Sequence, residues 1–207
     1  MKEVAVYRIR TDAVRRADCS ALAARMPSRM EKARRFRFER DRLLCLGAGL
    51  LMIQALGIRN ESELRYGEYG KPYASGYPSF NISHSGEWCV LACGETDNIG
   101  VDIEEMNEKH LDVAPVVYTE AERDWMKTDP VQRFFRLWTW KESVMKATGM
   151  GMNLDPASFE VLPFGEGKPV RVRNRNWYVR DERMEGCRVS VCADEPIEQL
   201  RWKEIGE

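Results

Sequence analysis

Apolar and polar positions recur along this chain with a period of two in some stretches and near 3.6 in others, and the changes of period mark out elements. "EVAVYRI" (3–9) alternates like a strand, and "RDRLLCLGAGLLMIQALGI" (40–58) repeats apolar residues at helical spacing until Gly57 interrupts it. A stretch rich in turn residues, "RYGEYGKPYASGYPS", follows. "EWCVLAC" and "NIGVDIE" then read as two strands, and the "GETDN" between them has the Gly, Asp and Asn of a hairpin connection.

The second half opens with "YTEAERDWM", a short helix in which Thr119 and Glu122 match a capping box. Asp129 as N-cap, Pro130 at the first helical position and Gly149 beyond the end bracket a longer helix over 130–148. Three strand-like runs complete the chain: "SFEVLPF", "KPVRVRNRNWYVRD" broken at 174–176, and "CRVSVCAD". Strand, helix and strands thus occur twice in the same order without a letter-by-letter repeat. This predicts an α+β fold of two similar α/β lobes, residues 1–105 and 106–207, acting as one unit.

Composition narrows the functional classes. A chain of 207 residues is long enough for one large domain or two small lobes. The net charge of −1 supplies no global field for nucleic acid. The start, "MKEVAVYRIRTD", has no signal-peptide core, and the longest apolar run is broken by glycines, so a cytoplasmic protein without membrane association is expected. Six scattered cysteines without a CxxC pair, and only His84 and His110 beside them, argue for reduced thiols rather than zinc.

Chemistry concentrates in five places. In "NIGVDIEEM", alternation puts Asp102 and Glu104 on one face of a strand, which is either a solvated outer face or a cation site. In "RLWTWKESVMKATGMG", Glu142 and Lys146 lie one helical turn apart near Trp138 and Met145, a spacing shared with ordinary surface ion pairs. Gly70-Lys71-Pro72 holds a cation in a constrained turn, and Ser83-His84-Ser85-Gly86 has the residue types of a polar turn that holds phosphate. "SRMEKARRFRFERDR" is either a solvated basic helix face or an anion-binding wall. With no P-loop and no GxGxxG, a nucleotide would have to be held by side-chain cations and a metal.

Taken in order, GKP, FNISHSG, IGVDIE and LWTWKES resemble the Sfp-type 4′-phosphopantetheinyl transferases, over about residues 27–162 and most weakly in the carboxy-terminal strands. The resemblance implies a monomer of two α/β lobes in pseudo-twofold arrangement, with coenzyme A in the cleft between them. It implies transfer of the phosphopantetheine arm to a serine of an apo acyl or peptidyl carrier protein, releasing adenosine 3′,5′-bisphosphate. By position, Asp102, Glu104 and Glu142 become ligands of Mg2+, with Mn2+ an alternative. Glu142 is also the candidate base, Lys146 the pyrophosphate-binding cation, and Glu122 either an assisting acid or only the capping-box residue. Ser83 and His84 fall at the pyrophosphate and 3′-phosphate, Lys71 and Pro72 near adenine, and Arg29 and Lys32 at the 3′-phosphate. Cys45 stands where a hydroxyl contact is expected, with Arg42 a candidate replacement. The competing readings are a Mg2+-dependent phosphodiesterase or nuclease, and a non-catalytic RNA-binding module.

Overall fold

The computed structural model describes residues 2–162 and 167–206. In chain order the strands and helices are β1 (Lys2–Arg10), α1 (Thr11–Arg16), α2 (Ser20–Arg25), α3 (Pro27–Arg34), α4 (Glu39–Leu51), β2 (Leu64–Tyr66), β3 (Pro72–Ala74), β4 (Ser79–Ser85), β5 (Trp88–Gly94) and β6 (Ile99–Glu105). They continue with α5 (Ala114–Val117), α6 (Glu120–Met126), α7 (Pro130–Ala147), β7 (Pro169–Val172), β8 (Arg175–Met184), β9 (Cys187–Ala193) and β10 (Ile197–Glu204).

Two four-stranded sheets form the centre, ordered β10-β1-β5-β4 and β6-β9-β8-β7, and β2 and β3 make a separate ribbon. The period-two pattern explains how the sheets stack. Val4, Val6, Val90 and Ala92 of the first sheet share one buried cluster with Ile99, Val101, Ile103, Val189 and Val191 of the second. The alternate residues of the first sheet, including Ile9 and Leu91, pack under α4 through Leu44 and Leu51. Val170, Val179 and Cys192 of the second pack under α7 through Phe134, Trp140 and Val144. The layers therefore run helix, sheet, sheet, helix, the mixed architecture that the doubled element order predicts.

Several elements form where the sequence places them. α7 is capped by Asp129, whose side chain accepts the Gln132 N–H at 3.4 Å, and starts with Pro130. α4 continues into a π-helical turn, Met52–Leu56, that ends at Gly57 in the left-handed region, φ 77°. β7 and β8 are joined through Arg173 and Asn174, both at positive φ.

Two expectations are corrected. β5 does not form a hairpin with β6: it pairs antiparallel with β4 across the Gly86-Glu87 turn, and β6 pairs with β9. The "GETDN" segment instead steps from one sheet layer to the other, held by Thr96 and Asn98 side chains on Asp194, the latter at 2.8 Å. Alternation marks a strand but does not choose its partner. "SFEVLPF" is not a strand among its described residues: Pro156–Ser158 is a 3-10 turn and 159–162 is irregular. Side chains replace a strand partner there, since the Lys141 Nζ donates to Pro156 O and Phe159 O, and Glu122 accepts Val161 N–H. Pro163 and Phe164 lie outside the described residues.

Sheet membership also crosses the expected division at residue 105. β6 belongs to the second sheet although it precedes that point, and β10 returns to pair in parallel with β1 in the first.

Candidate active site

The site forms where β6, α7 and β4 meet. Asp102 and Glu104 project from β6 away from the inter-sheet core, toward α7. The approach of α7 is set by Gly100: a Cβ there would lie 2.0 Å from Ser143 O and 2.4 Å from Ala147 N. Only glycine lets the helix backbone sit directly on the strand. That contact places Glu142 and Lys146, which precede Ser143 and Ala147 by one residue each on the same turns of the helix, over the strand carboxylates.

The Lys146 Nζ donates to Asp102 Oδ1 at 2.6 Å and to Ser83 Oγ at 2.9 Å, and lies 3.9 Å from Glu142 Oε2. Glu104 accepts from Ser85 Oγ at 2.9 Å and from Trp138 Nε1 at 3.3 Å. Burial, with the Asp102 charge added, pushes Glu104 up to about 7, and the same two causes raise Glu142. Burial works against the Lys146 charge, but Asp102 and Glu142 outweigh it and its pKa is raised.

β4 and β6 lie side by side without backbone pairing. Asn81 Oδ1 accepts Val101 N–H at 2.9 Å, Ser83 Oγ accepts Ile103 N–H at 3.4 Å, and Ser85 Oγ accepts Glu105 N–H at 3.1 Å. Alternate side chains of one strand thus satisfy alternate N–H groups on the free edge of the other, which would otherwise be unpaired at the junction of the two sheets.

Two cavities extend from this centre. One of about 250 Å³ is lined by Arg29, Lys32, Cys45, Pro72, His84 and Asp41, among others. The second, about 210 Å³, is lined by Lys71, Pro72, Asn81, Lys146, Gly149 and Gly151 with their neighbours. Pro72 and Ile82 line both, so the two adjoin. His84 is exposed at the first cavity, and crowding by its surroundings followed by the Lys146 charge lowers its pKa.

Residues 98–192 match the family model of the 4′-phosphopantetheinyl transferase superfamily. A 4′-phosphopantetheinyl transferase of Bacillus subtilis is 33 % identical over 212 residues, covering 89 % of this chain and 91 % of the relative. The chain belongs to the 4′-phosphopantetheinyl transferase superfamily. Sfp of Bacillus subtilis strain 168 is 30 % identical, with 82 % of each chain covered. The transferase Gsp of Aneurinibacillus migulanus is 37 % identical over 69 % of this chain, a match spanning 63 % of the relative's length. These relatives are enzymes of the transferase class.

Within this superfamily member, the structure gathers Asp102, Glu104, Glu142, Lys146 and Ser83 in one place and Arg29, Lys32, Pro72 and His84 in the adjoining cavity. Lys71 lines the second cavity, yet its ammonium donates to Ile99 O at 2.7 Å and Ala147 O at 3.1 Å, tying β6 to the C-terminal end of α7. Glu122 sits apart. It is fully buried, forms both halves of the capping box with Thr119, and pairs with the equally buried Lys141 at 2.9 Å. Arg42 is exposed, and Asp41 rather than Arg42 lines the cavity beside Cys45. Asn81 and Lys141 are the partners that sequence reading missed, and Ser85 and Trp138 were singled out there without their bonds to Glu104. The N-x-S-x-S alternation within β4 puts Asn81, Ser83 and Ser85 on one side of the strand.

Among the described residues, no group of three or more His, Cys, Asp and Glu side chains is drawn together as a metal site. The Lys146 ammonium stands on Asp102 and shares its charge with Glu142. The donor set nevertheless suits a hard cation: oxygen ligands only, two of them with raised pKa, and Asp102 Oδ2 buried without a hydrogen-bond partner.

Proposed function

We propose that this chain moves the 4′-phosphopantetheine group of coenzyme A onto a serine of an apo acyl or peptidyl carrier protein, leaving adenosine 3′,5′-bisphosphate. The observation that carries this reading is the pair of adjoining cavities, one edged by Arg29, Lys32 and His84 and the next by Lys146. Two separate cationic stations connected past Pro72 suit a ligand with a terminal phosphate at one end and a diphosphate at the other.

In this reading Arg29, Lys32 and His84 receive the 3′-phosphate, and Pro72 and Ile82 pack against the nucleoside. Lys146 holds the diphosphate, and Ser83, whose one hydroxyl proton goes to Asp102 and whose oxygen accepts from Lys146, lies beside it. Asp102, Glu104 and Glu142 would hold Mg2+, with Mn2+ able to substitute. Its chemistry there is to neutralise negative charge on the diphosphate, without which the carboxylates would repel it. Glu142 takes the proton from the carrier serine, and its raised pKa makes the carboxylate a stronger base than an exposed one. Glu122 acts through structure, since its oxygens are committed to Thr119, Val161 and Lys141.

The nucleophile belongs to the carrier, which accounts for a site with a base and cations but no serine or cysteine elbow. We further propose a cytoplasmic monomer. In support, all six cysteines are free, and among the described residues no helix is long and apolar enough to cross a membrane. Mass spectrometry of apo carrier proteins incubated with the chain, coenzyme A and Mg2+ tests the activity. A phosphopantetheine mass gain that needs the metal is the expected result. Cleavage of coenzyme A with no modified carrier would overturn it in favour of a phosphodiesterase.

A further inference from the structure

The two strand carboxylates are held by one device used twice. Ile103 N–H donates to Ser83 Oγ, and that hydroxyl donates to Asp102 Oδ1 at 3.0 Å. Two residues on, Glu105 N–H donates to Ser85 Oγ, and that hydroxyl donates to Glu104 Oε2 at 2.9 Å. A serine has one hydroxyl proton. With the backbone N–H engaging an oxygen lone pair, the proton is aimed at the carboxylate.

Glu104 has a second donor. Trp138 Nε1, 3.3 Å from Oε1, comes from α7 one turn before Glu142. Among the described residues, Ser85 donates to one Glu104 oxygen and Trp138 to the other, so the two donors together fix the plane of the carboxylate. The half-buried Trp138 ring packs against the core cluster beneath α7, which restricts the direction of its N–H. Carboxylates that bind cations are oriented by such outer partners.

We infer that Ser85 and Trp138 are positioning residues that fix the Glu104 carboxylate for cation binding, one from each lobe. The inference rests on the reading of Asp102, Glu104 and Glu142 as the cation ligands. It also links the site to lobe packing: Glu104 is held in place only while β4 and α7 both lie against β6.

The test is direct measurement of Mn2+ affinity by electron paramagnetic resonance in the presence of coenzyme A, beside a thermal melt of each variant. Ser85→Ala and Trp138→Phe should each raise the Mn2+ Kd about 10-fold, and Ser85→Thr should restore it. Trp138→Phe keeps an aromatic ring against the core but removes the donor together with the five-membered part of the indole, and the thermal melt reads what that lost packing costs, so it carries the test even if Ser85→Ala, which also frees the Glu105 N–H, fails to fold. Wild-type Kd in Trp138→Phe and in any folded Ser85→Ala, with binding lost in Asp102→Asn, overturns the positioning role and leaves the cation site standing. Equal Mn2+ binding by wild type and Asp102→Asn overturns the cation site itself.

Discussion

Lys146 Nζ and Asp102 Oδ1 are 2.6 Å apart, closer than Lys146 lies to Glu142 at 3.9 Å, and Asp102 is almost wholly buried while Lys146 is a quarter exposed. The ammonium is the counter-charge of a carboxylate that would otherwise be isolated among other acids. Replacing Lys146 by Ala should cost up to about 3 kcal/mol, with solvent reaching the lysine keeping it below the full cost of breaking a buried pair. Mg2+ should then raise the melting temperature of Lys146→Ala more than that of wild type, because metal and ammonium serve the same carboxylate. Calorimetric melts with and without Mg2+ check this, and equal metal shifts would contradict it.

Asp102→Asn and Glu142→Gln should differ in their response to metal. Asp102→Asn removes a ligand charge, so part of its lost transfer rate should return at high Mg2+. Glu142→Gln also removes the base, and metal can restore occupancy without restoring chemistry. A Mg2+ titration of transfer by each folded variant separates these outcomes, and full rescue of Glu142→Gln would leave it a ligand only.

For the anion cavity, His84→Ala should weaken coenzyme A binding by about 1.5–3 kcal/mol, the worth of a charge-assisted contact, and leave dephospho-coenzyme A nearly unaffected. Lys71→Ala should weaken both ligands alike, since its ammonium is committed to Ile99 O and Ala147 O rather than free to favour one phosphate. Calorimetry with the two ligands distinguishes the residues.

Lys141→Met should destabilise the protein by about 3–5 kcal/mol, because it leaves the Glu122 carboxylate buried without its cation and strands Pro156 O and Phe159 O. Urea unfolding measures the loss. Turnover per folded molecule should fall far less than in Glu142→Gln.

Burial lowers Lys71 to about 8. Between about 8 and the ordinary value of 10.5 the unfolded chain holds the proton that the folded chain releases. This group therefore adds stability as pH rises through that window, and its penalty is complete below it. Nitrogen NMR of the lysine side chains should show one ammonium titrating near 8, which Lys71→Met removes.

Period and caps made much of this legible in the sequence. α7 could be placed from Asp129, Pro130 and Gly149 because those residues act locally, and the Asp102 and Glu104 face follows from strand alternation alone. What stayed hidden was partner choice. β5 could be recognised as a strand but not as the partner of β4, and β10, with no buried residue to mark it, owes its strand to backbone pairing with β1, almost two hundred residues earlier. Glu122 carried two readings, since a capping box is local while its pairing with Lys141 depends on how α6 and α7 pack. The bonds of Ser85 and Trp138 to Glu104 were hidden for the same reason: Glu104 lies on β6, away from the element of either donor.

The parallel pairing of β10 with β1 sets a condition on biosynthesis. β10 is synthesised almost two hundred residues after the strand it pairs with. The first sheet must therefore wait with an open strand edge on β1, Val4 and Val6 short of the second sheet that covers them, until β9 and β10 have been made. A stalled or truncated product would expose that edge and invite association with other nascent chains.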